Sequence, residues 1–263
     1  MTLVSGNVLL TGATGGIGQA IARTLASCGA TVTITGRRAD VLEPLARETS
    51  GRAITCDLAN REELDRLVQE AGQVDVLVAN AALPGAAELT DLTQEQIDAM
   101  LEVNLRAPIA LARALVPAMV ARRRGHLVFI SSLSGKAATP ATSIYAAAKF
   151  GLRGFALCLR EDLRPHGVGV STVLPGFIRD AGMFADSKVE LPRGVGTRSP
   201  EDVAAAVVKA IEHNRAEVEV APLGLRLGAT FAGAAPELAA AAARRLGSTQ
   251  VAFDMAEAQR NKH

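Results

Sequence analysis

A chain of 263 residues, 49% hydrophobic and only 3% aromatic, can bury one α/β core built from Ala, Val, Leu and Ile. A net charge of +1 with both signs interspersed argues against a nucleic-acid partner or an anionic-membrane surface. Three cysteines (Cys28, Cys56, Cys158) and four histidines (His126, His166, His213, His263) are too scattered for a metal site, and the odd thiol count fits a reducing, cytoplasmic setting. No export signal is read at the N-terminus, and no apolar run is read as long enough for stable membrane insertion.

Residues 7–10 read as a short strand, followed at once by the turn Thr11-Gly12-Ala13-Thr14-Gly15-Gly16-Ile17-Gly18. Residues 20–26 have helical periodicity, closing at Gly29, and 31–35 form a β-branched second strand. The opening is therefore a βαβ unit. Residues 40–48 read as helix despite Pro44, 53–56 as a strand ending in Asp57, 61–71 as helix and 74–78 as a buried strand. A long helical region covers 93–123, with kinks or breaks at Pro108 and Pro117. Arg122-Arg123-Arg124 reads as its solvated end, where cations are favoured by the helix dipole. A strand at 126–131, a helix at 143–163 stopped by Pro165 and Gly167, and a strand at 169–174 follow. Ser199-Pro200-Glu201-Asp202 opens a helix with a capping box, and 217–220 is the last strand.

This alternation has no composition break. It predicts one domain over 1–263, α/β, with a Rossmann-type doubly wound, mostly parallel seven-stranded sheet. A helical extension is expected over 224–263. Its Ala-rich part, Gly224 to Gly247 with Arg226, Arg244 and Arg245, should pack on the core or on a neighbouring subunit, and 256–263 should fray.

Gly12, Gly16 and Gly18, with Thr14, Gly15 and Ile17 between them, let the backbone turn tightly and let a pyrophosphate approach a helix N-terminus. Standing directly after the first strand of a βαβ unit, they point to a dinucleotide rather than to an empty tight turn. NAD users usually carry an acid at the end of the second strand. Here Gly36-Arg37-Arg38 stands there, so NADP(H) is preferred, with NAD(H) the alternative. Asp57 is expected to accept from the adenine amino group and to cap the next helix.

Tyr145 is the only tyrosine, and Lys149 lies four residues beyond it on one helix face. Such a pair is ordinarily a ring edge beside a solvated charge. Beside a fixed ammonium, however, a phenol that titrates near ~10 is expected to titrate lower and to donate its proton more readily.

Thr11-Gly12-x-x-x-Gly16-x-Gly18, Asp57-Leu58, Asn80-Ala81, Val103-Asn104-Leu105, Ile130-Ser131-Ser132, Tyr145-x-x-x-Lys149 and Pro175-Gly176 occur in this order. Over residues 8–220 the set resembles the compact, non-extended branch of the short-chain dehydrogenase/reductase family. The resemblance implies that Ser132 hydrogen-bonds the substrate oxygen and Tyr145 transfers the proton. It implies that Lys149 binds the nicotinamide ribose and lowers the phenol pKa, and that Asn104 holds a relay water. Asp57, Leu58, Asn80, Ala81, Pro175, Gly176 and Ile178 would border the cofactor, Ile178 through its backbone N–H. Three departures stand out. Ala79 and Ala82 replace the usual Asn and Gly, predicting fewer side-chain hydrogen bonds to the central strands. Gly15 stands where some NADP-dependent members are basic, and Asp180 where Thr is common.

The loop 177–198, with Phe177, Met183, Phe184, Leu191 and Val195 and with Gly182, Gly194 and Gly196, reads as a lid over an apolar ketone or alcohol. Ala82, Leu83 and Leu133 are expected in the same pocket. The resemblance implies a homo-oligomer, dimer or tetramer, packed through the helices at 93–123 and 143–163. The function expected is NADP(H)-dependent carbonyl reduction or alcohol oxidation. The alternatives are dehydration or epimerisation at the same site, or a non-catalytic dinucleotide sensor.

Overall fold

The computed structural model describes residues 3–191, 195–245 and 249–259. Seven strands form one sheet: β1 (Asn7–Thr11), β2 (Thr31–Gly36), β3 (Arg52–Thr55), β4 (Val76–Ala79), β5 (Gly125–Ile130), β6 (Val168–Pro175) and β7 (Glu217–Val220). Their order is β3-β2-β1-β4-β5-β6-β7, and every neighbouring pair is parallel. The chain leaves β1 toward β2 on one side and returns to β4 on the other. That reversal opens a crevice at the carboxyl ends of β1 and β4, where such sheets take ligands.

The central strands β1, β4, β5 and β6 are buried on both faces and mostly apolar, whereas β2, β3 and β7 mix apolar and polar residues. Val8, Leu10, Val76 and Val128 pack against α1 (Gly16–Ser27) and α8 (Pro200–Glu212). Leu9, Leu77, Leu127 and Phe129 face the opposite layer, which includes α3 (Arg61–Ala71), α5 (Ala107–Ala121) and α6 (Ser143–Leu163). Helix α2 (Ala39–Glu48) packs beside β3. The capping box of α8 is present, since Ser199 Oγ accepts from Asp202 N and Asp202 Oδ2 accepts from Ser199 N. Asp57, by contrast, does not cap α3. Asn60 Oδ1 accepts from Glu62 N and Glu63 N, while Asp57 Oδ1 accepts from Ala59 N in the preceding turn.

The region read as one interrupted helix is α4 (Gln94–Leu101), a single wide turn at Glu102–Arg106 with i→i+5 hydrogen bonding, and α5. Pro108 sits just inside α5, where its missing N–H is tolerated, and Pro117 lies within the helix. Joined, Gln94–Ala121 is long and apolar enough by length and composition to cross a membrane, which corrects the reading that no run is. Here its Leu111, Ala112, Leu115 and Met119 are buried in the core.

After β6 come α7 (Gly182–Ser187) and, past β7, α9 (Leu223–Ala234), α10 (Pro236–Arg245) and α11 (Thr249–Gln259). Residues 256–259, within the segment expected to fray, form the last turn of α11. Gly194, Gly247 and His263 lie outside the described residues. Gly224 and Gly228 sit inside α9, where glycine is about 1 kcal/mol less favourable than alanine.

His126, at the start of β5, is 1% exposed, and its Nε2 lies 2.8 Å from Ser171 Oγ. Burial, helped by the charge of Arg160, lowers its pKa from 6.5 to about 4. Between those values the unfolded chain binds the extra proton. Stability is therefore intact above pH 6.5 and lost as pH falls through 4, by roughly 3 kcal/mol. Denaturant melts of wild type and His126→Gln at pH 7 and pH 4.5 check this. The wild type should lose more stability than the variant on acidification, and equal losses would remove His126 from the account.

Candidate active site

A cavity of about 790 Å³ spans the carboxyl ends of β1, β2, β4, β5 and β6. At one end is the glycine turn. Gly12 has φ +69°, and a Cβ there would lie 2.6 Å from Ala81 Cα. A Cβ on Gly18 would lie 2.3 Å from Gly12 O, so the turn and helix α1 close only on glycine. Gly15 occupies the N-cap of α1 without a capping side chain, and the first turn carries no acid. A Cβ at Gly15 would meet only Gly12 O, at 3.8 Å, so the space above the helix N-terminus is open. Free N–H groups, the positive end of the helix dipole and open space fit the pyrophosphate of a dinucleotide.

The predicted cofactor residues gather around this feature. Thr14, Gly16, Ile17, Arg37, Arg38, Asp57 and Leu58 line the cavity beyond β1, β2 and β3. Asn80 and Ala81 follow β4, and Pro175, Gly176 and Ile178 follow β6. Arg38 Nη2 donates to Thr14 O (2.8 Å), tying the second-strand end to the glycine turn. Asn80 Nδ2 donates to Thr11 O and Gly12 O, both at 3.1 Å, and this side chain links the loop after β4 to the glycine turn.

Helix α6 carries Tyr145 and Lys149 into the middle of the cavity wall, 7% and 1% exposed. Lys149 Nζ donates to Ile130 O (2.9 Å) and stands 5.6 Å from the Tyr145 ring centroid. Ser131 Oγ donates to Lys149 O (3.0 Å), fastening α6 to the end of β5. Gly135 permits this contact, since a Cβ there would lie 2.8 Å from Lys149 O. On the other side of the strand, Ser132 Oγ accepts from Ser134 N (3.1 Å), donates to Pro175 O (3.4 Å) and lies near enough to the Tyr145 hydroxyl to favour its ionised form. Ser132, Tyr145 and Lys149 are thus brought together.

Asn104 lies behind this group. In the wide turn before Pro108, its Nδ2 donates to Leu83 O (3.0 Å) and its Oδ1 accepts from Leu83 N (2.7 Å). Its side chain braces the loop after β4 and is not offered to the cavity. Pro108 has no N–H for the Asn104 carbonyl to accept in the i+4 place.

The expected lowering of the phenol pKa is reversed. Burial pushes Tyr145 up to about 12, opposed by the hydrogen bond with Ser132. Burial also pushes Lys149 down to about 8. Spacing placed an ammonium beside the ring. What it does not convey is that both groups are desolvated, which disfavours both charged forms.

The far end of the cavity is apolar. Leu133, Met183, Phe177 and Phe184 line it, and the two phenyl rings lie 5.0 Å apart. The loop expected to act as a lid is tied at its base: Arg179 N donates to Arg198 O (2.9 Å), and Arg198 N donates to Phe177 O (3.0 Å). Asp180, with φ +67°, turns the chain into α7 and is ion-paired with Arg179. Sequence reasoning missed the closing wall, formed by Leu225, Gly228 and Ala229 of α9 and Met255 of α11. No local pattern connects these positions to the site. Helix α9 is held by ion pairs: Glu219 on β7 meets Arg226 (2.9 Å) and Lys136 (2.7 Å), and Lys136 also meets Glu217 (3.2 Å).

The family model for short chain dehydrogenases matches residues 6–191. Ketoacyl reductase HetN of Nostoc sp. strain PCC 7120 is 37% identical over 228 residues, 83% of this chain and 79% of that protein. The 3-oxoacyl-[acyl-carrier-protein] reductase FabG of Rickettsia conorii is 35% identical over 209 residues, 76% of this chain and 86% of that protein. Among solved structures, a metagenomic short-chain oxidoreductase in complex with NADP superposes with a TM-score of 0.71 at 35% identity, over 84% of this chain and 99% of that one. With the parallel seven-stranded sheet and the glycine turn at its switch point, these likenesses establish that the chain belongs to the short-chain dehydrogenase/reductase family.

Proposed function

We propose that the protein is an NADP(H)-dependent carbonyl reductase or secondary-alcohol dehydrogenase acting on an uncharged, apolar substrate. The observation that carries this reading is that Ser132, Tyr145 and Lys149 line one cavity between its glycine-turn end and its apolar end. Two relatives named as ketoacyl reductases and a neighbour holding NADP support it. The nicotinamide, when bound, supplies or accepts the hydride. In reduction, the Tyr145 hydroxyl gives its proton to the carbonyl oxygen as negative charge grows there, and Ser132 Oγ donates a hydrogen bond to the same oxygen. Lys149 would hold the nicotinamide ribose, and Asn104 shapes the loop that carries Leu83. A panel of ketones and secondary alcohols with each nicotinamide tests the reading. Absence of nicotinamide turnover on every member would sink it.

Arg37 and Arg38 support the 2′-phosphate preference, since no carboxylate stands at the β2 end to repel that group. Arg38 also braces Thr14, so Arg37→Ala is the cleaner variant. It should weaken NADPH binding by about tenfold or more and leave NADH binding nearly unchanged. Equal losses for the two nucleotides would remove Arg37 from phosphate recognition. The same reading takes the protein as cytoplasmic, without stable membrane insertion, and as a homo-oligomer. The exposed Leu223, Leu227, Phe231 and Leu238 of α9 and α10 support self-association.

A further inference from the structure

Helix α9 carries a feature that its packing does not explain. A Cβ added at Gly224 or at Gly228 would meet no atom within 4 Å, and neither residue has positive φ. Gly233 on the same helix differs: there a Cβ would lie 3.1 Å from Lys136 O, so close approach accounts for it. Two helix-weakening glycines thus stand where neither turn geometry nor a neighbour requires them. What both face is the cavity, which they line together with Leu225 and Ala229 of α9 and Met255 of α11.

The chemistry of that end is one-sided. The cations on the cavity wall are Arg37, Arg38 and Lys149, at the glycine-turn end and the centre. Around α7, α9 and α11, the charged side chain among the described lining residues is Asp186, an acid. Nothing there suits a carboxylate or a phosphate, while leucine, methionine and open glycine surface suit methylenes. The wall is also fixed in place. Arg226 and Lys136 share Glu219, and Lys136 lies four residues after Ser132, so α9 is tied to the segment that carries the Ser132 hydroxyl. All of these α9 and α11 residues lie beyond 6–191, the segment the family model matches.

We infer that the α9 surface at Gly224, Leu225, Gly228 and Ala229, ending on Met255, is a channel for an unbranched aliphatic chain running from the reacting carbon, and that Gly228 sets the chain length accepted. This rests on the reductase reading for the position of the carbonyl. The steric argument for the channel is independent of turnover.

The test is calorimetric binding of 2-alkanones, from 2-pentanone to 2-undecanone, to the protein holding NADP⁺, a pair that cannot react. Wild type should gain about fourfold in affinity per added methylene. Gly228→Leu should bind 2-pentanone like wild type but lose about 30-fold or more on 2-undecanone, because its side chain occupies the channel. Its thermal melt should be no lower than wild type's, since leucine favours helix and its Cβ would meet no atom within 4 Å, and Gly228→Ala should lie between the two in affinity. A wild-type affinity that does not change with chain length, or a Gly228→Leu series matching wild type, would overturn the inference. If the chain-length series behaves as described but no ketone is reduced with NADPH, the channel stands and the reductase reading falls. If ketones are reduced with no chain-length dependence, the reverse holds.

Discussion

Tyr145→Phe is expected to lower kcat/KM for ketone reduction by about 10²–10⁴-fold while leaving NADPH affinity little changed. The variant removes one oxygen. The ring keeps its buried place beside Lys149 Nζ, so the fold has no reason to fail. What disappears is the proton donor and one of two hydroxyls aimed at the developing oxyanion. Ser132→Ala should cost less, because Tyr145 still supplies the proton. A Tyr145→Phe enzyme equal to wild type on a good substrate would end the mechanism proposed for this site.

The pH behaviour follows from the direction of the phenol shift. With Tyr145 pushed up to about 12, the hydroxyl is fully protonated across the working range. Reduction, which uses the acid form, should show no Tyr145 inflection from neutral to mildly alkaline pH. Alcohol oxidation, which needs the base form, should climb by about tenfold per pH unit over the same range. This is open to direct observation. Tyr145 is the only tyrosine and the chain has no tryptophan, so near-ultraviolet phenolate absorbance reports this residue alone. An alkaline titration of the nucleotide-free protein should place its midpoint well above 10. A midpoint below 10 would mean that the lysine's charge outweighs burial.

That reversal also marks how far the sequence could be read. The strands were legible because β-branched apolar runs are local signals, and 217–220 and 143–163 match β7 and α6 to the residue. The glycine turn was legible because a tight turn after a first strand leaves few other residues that fit. The N-cap of α3 was not: Asp57 and Asn60 are both competent caps, and only backbone geometry selects Asn60. The span Gln94–Ala121 was misjudged because its two prolines looked like breaks, whereas one wide turn absorbs the first and the helix continues. The wall made by α9 and α11 was illegible for a different reason. Alanine-rich helices carry no directional pattern, and Met255 meets a cavity whose other walls lie far away in sequence. Motifs therefore pointed to the side chains proposed for the chemistry, while the apolar walls of the cavity arise from long-range packing.

Lys149→Met should both abolish most activity and make the nucleotide-free protein more stable at neutral pH. The lysine is 1% exposed, and burial lowers its pKa from 10.5 to about 8. The unfolded chain holds the proton up to about 10.4, the folded chain only up to about 8. Between these values the unfolded state binds more protons, so stability rises with pH across that window. Below pH 8 the whole penalty is present, roughly 3 kcal/mol. Methionine fills a similar volume without charge and removes that penalty. It also leaves Ile130 O without the Lys149 donor, which costs about 1–3 kcal/mol. The net gain at pH 7 should therefore be about 1 kcal/mol, shrinking and reversing as pH approaches 10.5. Activity should fall about 10²-fold or more, since the ammonium that would hold the ribose beside the phenol is gone. Paired denaturant melts at pH 7 and pH 10 decide the stability half. A variant that is less stable by the same amount at both pH values would show that Lys149 stabilises the fold through packing and its Ile130 contact. A variant whose advantage fades with pH would show that a buried charge is retained against the fold's own stability, for the chemistry at Tyr145.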